Sequence, residues 1–184
     1  TLGLKTFHLG GNSMGGNIAG IYASRYPSEI KSLWLLAPGG VTTAQASELA
    51  TRLTMGENPL LVDSVEGFDQ LLDFVFVTRP YIPRSVKQYL STQAIAHRAF
   101  NERIFRDLRA FPQPLEPALQ DFPAPTLILW GDTDRLLHVS GAAILAALVK
   151  DGHLAILEHT GHVPMIERPQ ESARQFLRFR GVSS

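Results

Sequence analysis

The stretch "HLGGNSMGG", His8–Gly16, decides how this chain is read. Ser13 stands between Gly11 and Gly15 at the point where the pattern of the chain changes. Before it, "LKTFHLG" (4–10) carries β-branched and aromatic residues and reads as a strand running into a sharp turn. After it, Ile18, Ile21, Tyr22 and Arg25 fall at helical spacing, Ala19, Gly20 and Ala23 leave room for a sheet, and Pro27 stops the run. The spacing G-x-S-x-G across such a junction has a steric reason. A serine on a very tight strand-to-helix turn sits in strained backbone, and side chains two residues away would strike neighbouring backbone. The turn lifts Oγ clear of the sheet and sets it at a helix start, where free N–H groups favour developing negative charge.

Working outward, "SLWLLAPGG" (Ser32–Gly40) is a short, continuously apolar run that suits a strand buried on both faces, and it completes a β-α-β unit. From Thr42 to about Gln120 no strand-like run occurs. In "DSVEGFDQLLDFVF", Phe68, Leu71, Leu72, Val75 and Phe76 follow a helical stripe behind the capping candidates Asp63 and Ser64. A second helix begins after Pro83, and a third contains Phe100, Ile104, Phe105 and Leu108. Pro112, Pro114, Pro117, Pro123 and Pro125 then prevent regular structure until the strand "TLILWG" (Thr126–Gly131). A helix in "SGAAILAALVK", a strand in "LAILEH" (Leu154–His159) and a last helix opened by Pro169 and closed by Gly181 complete the chain. The organisation expected is α/β: core over 1–41, a helical insert over 42–120, and core again over 121–184.

Composition narrows the function classes. A chain of 184 residues with 45% apolar content is long enough for one sizeable core. Lys plus Arg equals Asp plus Glu at 17 each, with no run of like charge, so nucleic acid is not an expected partner. The absence of cysteine excludes disulfides and thiolate chemistry within the chain. No leader-like or membrane-length apolar run occurs, which leaves the compartment open, because any such segment would lie upstream of Thr1.

A serine nucleophile needs a base, itself held by an acid. "WGDTD" follows the strand 126–131, which puts Asp132 and Asp134 at the carboxyl edge of the sheet. Asp134 is favoured, since Asp132 follows Gly131 directly and is explained as a turn former. Of the histidines in "LEHTGHVPMIERP", His159 ends a strand, whereas His162 lies in the loop beyond, after a glycine that lets the chain turn inward, and is the favoured base. His8 and His153 read as strand-edge residues and His97 as a surface residue of the insert. No pair of histidines has metal-ligand spacing supported by a carboxylate on a helix, so no metal or other cofactor is implied.

The chain order Ser13, Asp134, His162, each after an expected strand, is the order of the α/β-hydrolase arrangement. On "GNSMGG", "LILWGDTD" and "TGHVPMIERP" the sequence resembles the α/β-hydrolase superfamily over nearly its whole length. "GNSMGGNIAGIYASRYPSEIKSLWLLAPGG" and "LHVSGAAILA" look like the branch of monoacylglycerol lipases and cold-adapted bacterial lipases. "GNSMGG" and "APGG" are also similar to hydrolases that cleave carbon–carbon bonds in aromatic ring-fission products. Those commonly carry an aromatic residue after the histidine, where Val163 stands here, which tilts the expectation toward ester cleavage. The resemblance implies a carboxylic ester hydrolase, an esterase or lipase, working through an acyl-enzyme on small acyl esters or lipids. A triad-retaining binding protein and an inactive fragment are the other classes it leaves open.

The same resemblance makes the insert a cap over the serine, with Leu53, Leu60, Phe68, Leu72 and Phe76 as candidates to line an acyl pocket. It implies the backbone N–H of Met14 as one oxyanion donor, the second coming from a loop after an earlier strand. In this family the nucleophile follows the fifth of eight strands. The chain is therefore expected to be the carboxyl-terminal part of the fold, its first strand offering an unpaired edge to an amino-terminal segment of the same protein, cleaved or separate.

Overall fold

The computed structural model describes residues 3–182. Four parallel strands form one sheet in chain order: β1 (Phe7–Ser13), β2 (Ile30–Pro38), β3 (Thr126–Gly131) and β4 (Gly152–Leu157). Helix α1 (Met14–Arg25) joins β1 to β2. Between β2 and β3 lie α2 (Glu48–Thr54), α3 (Val65–Val75), α4 (Arg84–Ala96), α5 (Arg98–Ala110) and α6 (Leu115–Leu119). α7 (Ser140–Leu148) joins β3 to β4, and α8 (Pro164–Glu167) and α9 (Pro169–Phe179) follow.

Strand alternation divides the core between the two faces of the sheet. Leu33, Leu35, Ile128 and Trp130 pack with Ala19 and Ala23 of α1, Leu115 and Leu119 of α6, and Leu145 of α7. Leu36, Leu127, Leu129, Ala155 and Leu157 pack with Phe176 and Phe179 of α9 on the other face. All six residues of β3 are buried, in keeping with the apolar run Leu127–Trp130 that follows Thr126. Among the described residues β1 pairs only with β2, and its His8 and Gly10 are exposed, as are Ile18 of α1 and Tyr26 just after it. No helix of the described residues is long and apolar enough to cross a membrane.

Several expected elements move. β1 runs on to Ser13 instead of ending at residue 10, because Gly10 and Gly11 continue the ladder opposite Trp34 and Leu35. β4 begins and ends two residues earlier than expected, its register set by Thr126 opposite Gly152. The proline run does contain a helix, α6: Pro117 falls in its first turn, where a backbone N–H has no intrahelical acceptor to lose. By its packing on α1 and in the main core, α6 goes with the core although it lies within 42–120. Helix α2 was not foreseen. It is short, and its signal is a single cap, the Ser47 hydroxyl accepting the Ala50 N–H at 3.1 Å.

The remaining helices of the insert pack lightly. Leu49 of α2 and Phe74 of α3 meet Leu136, just past β3, in a small separate cluster. Arg135 binds Glu48 of α2 at 2.6 Å and lies over the Phe74 ring, with its guanidinium carbon 4.8 Å from the ring centroid. Helix α5 is amphipathic in sequence yet buries no residue fully.

Candidate active site

Ser13 closes β1 and precedes α1 with φ 55° and ψ −123°, a conformation that non-glycine residues rarely adopt. The glycines around it have unequal roles. A Cβ on Gly11 would lie 2.2 Å from the Gly15 carbonyl oxygen, and one on Gly16 would lie 2.7 Å from Pro38 Cβ. At Gly15 nothing among the described residues comes within 4 Å, so the steric need falls on Gly11 and Gly16 rather than on the symmetric pair of the motif. Met14 is the first residue of α1, so its N–H has no acceptor within the helix.

The structure brings Asp134 and His162 together. Both side chains are buried, at 0% and 4% exposure, and the imidazole Nδ1 lies 2.7 Å from Asp134 Oδ2. An ionised carboxylate only accepts, so Nδ1–H donates and Nε2 carries the lone pair. Asp134 is held by three further donors. Trp130 Nε1–H donates to Oδ2 at 3.0 Å, and the Leu136 and Leu137 N–H groups donate to Oδ1 at 2.8 and 3.0 Å. His162 Nε2 is buried and makes no hydrogen bond among the described residues, with Ser13 or any other group. What ties the serine turn to the histidine loop is Asn12, whose Nδ2 donates to the Leu36 carbonyl at 3.0 Å and to the His162 backbone carbonyl at 3.1 Å.

Asp132, expected to close its own turn, does not do so but ties the end of β3 to the loop after β4. Its Oδ1 accepts the Thr133 hydroxyl at 2.7 Å and the Thr160 N–H at 3.3 Å. Partial burial pushes its carboxyl up, but these bonds and those from the His159 backbone bring it below the ordinary value. His159 is exposed, in left-handed backbone at φ 49°. His8 hydrogen-bonds Ser32, His97 bonds the Gln93 carbonyl, and His153 pairs with Asp151, so none reaches the buried pair. Among the described residues no cluster of three or more His, Asp or Glu could hold a metal ion.

Ser13 and Met14 open onto a cavity of about 670 Å³ walled by Leu49, Leu60, Phe105, Leu108, Phe111, Leu136 and Leu137, among others. Its lining residues include no charged side chain. Of the residues expected to line a pocket only Leu60 does so; Phe68 is buried at 7% exposure, and Leu53 joins the Leu49–Phe74–Leu136 cluster. The apolar stripe of α5 takes their place, because it has the cavity to face rather than a packed core. A separate polar cavity of about 520 Å³, lined by Arg52, Glu57, Asp73 and Arg135 among others, does not include Ser13.

Two residues at the site were missed in the sequence, Trp130 and Asn12. A tryptophan in a fully buried strand needs a partner for its indole N–H, and Asp134 four residues on was an available acceptor. The role of Asn12 had no local signal, since its partner is 150 residues away.

The family model Hydrolase_4, described as "Serine aminopeptidase, S33", matches residues 3–169. Lipase 3 of a Moraxella species is 34% identical over 174 residues, covering 94% of this chain and 55% of that protein. A monoacylglycerol lipase of Rattus norvegicus is 33% identical over 187 residues, covering 97% and 56%. A crystal structure titled as a membrane phospholipase A superposes with a TM-score of 0.95 at 48% identity, covering 98% of this chain and 58% of that one. The chain thus spans little more than half the length of the curated relatives it matches.

Proposed function

Because the chain belongs to the Hydrolase_4 family of α/β-hydrolases, we propose that it carries the triad of a carboxylic ester hydrolase, of the lipase and monoacylglycerol lipase kind. In this reading His162 Nε2 takes the proton of Ser13 as Oγ attacks the ester carbonyl. Asp134 holds the imidazole in the required tautomer and stabilises its cation. The Met14 N–H donates to the oxyanion. The alcohol leaves with the proton held by His162, and water activated by the same nitrogen releases the acid from the acyl-serine.

The observation that carries this reading is the buried Asp134–His162 pair, tethered through Asn12 to the turn that holds Ser13 at an apolar cavity. The cavity also weighs against peptide cleavage from an amino terminus. A substrate ammonium calls for a carboxylate, and the lining residues include no acidic one. An acyl chain calls for the leucine and phenylalanine walls that are there.

The insert, in the same reading, is a cap, and α5 is the part of it that meets the acyl chain. The free edge of β1, the exposed Ile18 of α1 and the exposed Tyr26 just after it take a further segment of the same protein, which supplies the second oxyanion donor. Hydrolysis of p-nitrophenyl esters of graded acyl length by the full-length protein tests the proposal. Activity that rises from short to medium chains and disappears in Ser13→Ala is expected. Undiminished turnover in that variant would sink it.

A further inference from the structure

Glu167, at the end of α8, makes no hydrogen bond to Ser13 or the imidazole among the described residues, yet both oxygens of its carboxylate are engaged. Oε1 accepts the N–H groups of Val77 at 3.1 Å and Thr78 at 2.6 Å, both in the insert just beyond α3. Oε2 accepts the N–H of Gly161 at 2.9 Å, the residue before His162. The joint is closed from the other side as well, since the His162 N–H donates to the Val75 carbonyl at 2.9 Å. Gly161 is squeezed between the two segments: a Cβ there would lie 2.3 Å from the Val75 carbonyl oxygen and 3.1 Å from Glu167 Oε2.

We infer that Glu167 is a positioning residue that locks the insert and the histidine loop into one unit. The backbone around His162 is then held at the Gly161 N–H by Glu167, at its own N–H by Val75, and at its carbonyl by Asn12. Two of these three ties run to residues 75–78 of the insert, directly or through the Glu167 carboxylate. The seating of the insert over the cavity and the placement of the imidazole toward Ser13 are therefore set together. Bonds from backbone N–H groups to an ionised carboxylate are of the stronger kind, and here they join segments some 85 residues apart. The chemistry explains why this position takes a carboxylate. Two separated sets of donors need an acceptor at each end of the side chain. A glutamine amide has one acceptor and turns an NH2 toward the N–H groups on the other side.

This inference rests on His162 acting as the base for Ser13, so the test reads two quantities on the full-length protein. Turnover per active site is measured on a soluble ester, with sites counted by a fluorophosphonate label on Ser13. Amide hydrogen exchange is followed in peptides covering residues 75–78 and 159–163. In Glu167→Gln, kcat per labelled site should fall about 10- to 100-fold with KM little changed, the scale of loss when a reacting group is misplaced by about an ångström. Exchange should accelerate in both segments. Glu167→Asp, which keeps an acceptor at each end on a shorter arm, should recover part of the lost kcat. It also carries the test, read by the same two quantities, if Glu167→Gln fails to fold. Turnover per labelled site within twofold of wild type in Glu167→Gln, or exchange unchanged in either segment, would overturn the inference. Absence of label on wild-type Ser13 would instead refute the reading of the triad, and the exchange data would still decide whether Glu167 joins the two segments.

Discussion

Replacing Asp134 by asparagine changes one atom and sets four hydrogen-bond donors against an amide. Oδ1 receives the Leu136 and Leu137 N–H groups, and Oδ2 receives Trp130 Nε1–H and His162 Nδ1–H. The two backbone donors cannot be reoriented, so the amide oxygen of Asp134→Asn settles on their side and its NH2 faces the indole and the imidazole. The imidazole then accepts at Nδ1 and carries its proton on Nε2, the tautomer that cannot take a proton from Ser13. A wrong tautomer with intact geometry costs about 10⁴-fold in kcat, or about 5 kcal/mol of barrier. The Trp130 N–H, now opposite an NH2, keeps the Leu137 carbonyl as an acceptor at 3.0 Å, so the loss of its second bond adds only about 0.5–1.5 kcal/mol of destabilisation. The assay is steady-state hydrolysis of a short p-nitrophenyl ester by the full-length protein, with circular dichroism to confirm folding. Asp132→Asn is the control. The Thr133 hydroxyl and the Thr160 N–H converge on a single oxygen that an amide supplies equally well, so turnover should be essentially unchanged. A folded Asp134→Asn variant within tenfold of wild type, or an equal loss in Asp132→Asn, would refute the assignment of the acid.

Trp130→Phe removes the indole donor shared by Asp134 and Leu137, and should cost about 2–3 kcal/mol, or about 5–10 °C in Tm; an unchanged Tm would show that this bond does not contribute. Glu48 is held at about 2, below the ordinary glutamate value of 4.5, chiefly by the hydrogen bond from Arg135, with burial opposing and Arg52 adding. Its folded value lies below its unfolded one, so the stability it adds is present above pH 4.5 and is lost as pH falls from there toward 2. The side chain is 37% exposed, so screening limits that contribution to about 1 kcal/mol or less. The Tm gap between wild type and Glu48→Gln should be widest at neutral pH and close below pH 4.5, and a gap independent of pH would contradict the pairing. Leu108→Trp narrows the cavity from the α5 side and should shift the ratio of kcat/KM for long over short acyl esters about tenfold toward short; an unaltered ratio would place the acyl chain elsewhere.

The parts of this site that are legible in sequence are those whose chemistry is local. Ser13 announces itself because its turn demands glycine nearby, and Asp134 and His162 because each follows a strand end. Between Asp132 and Asp134 a self-closed turn was not what decided, since Asp132 bonds the Thr133 hydroxyl and the distant Thr160 N–H, whereas Asp134 is the one that meets His162. What escaped depends on packing. The apolar stripes of α3 and α5 look alike in sequence, but Phe68 of α3 went into a core and the residues of α5 were left facing the cavity. Pro117 was read as a breaker because nothing local shows that a helix starts two residues before it. Asn12 and Glu167 act on partners far along the chain, on the histidine loop and the insert respectively, which only the folded chain brings to them.

The central claim is that Ser13 is a nucleophile activated by His162. The most direct measurement is treatment of the full-length protein with a fluorophosphonate, followed by intact-mass and peptide-mass analysis. One adduct per chain, located on Ser13 and absent from a folded His162→Gln variant, is the predicted result. No adduct, an adduct elsewhere, or equal labelling of Ser13 without His162 would contradict it.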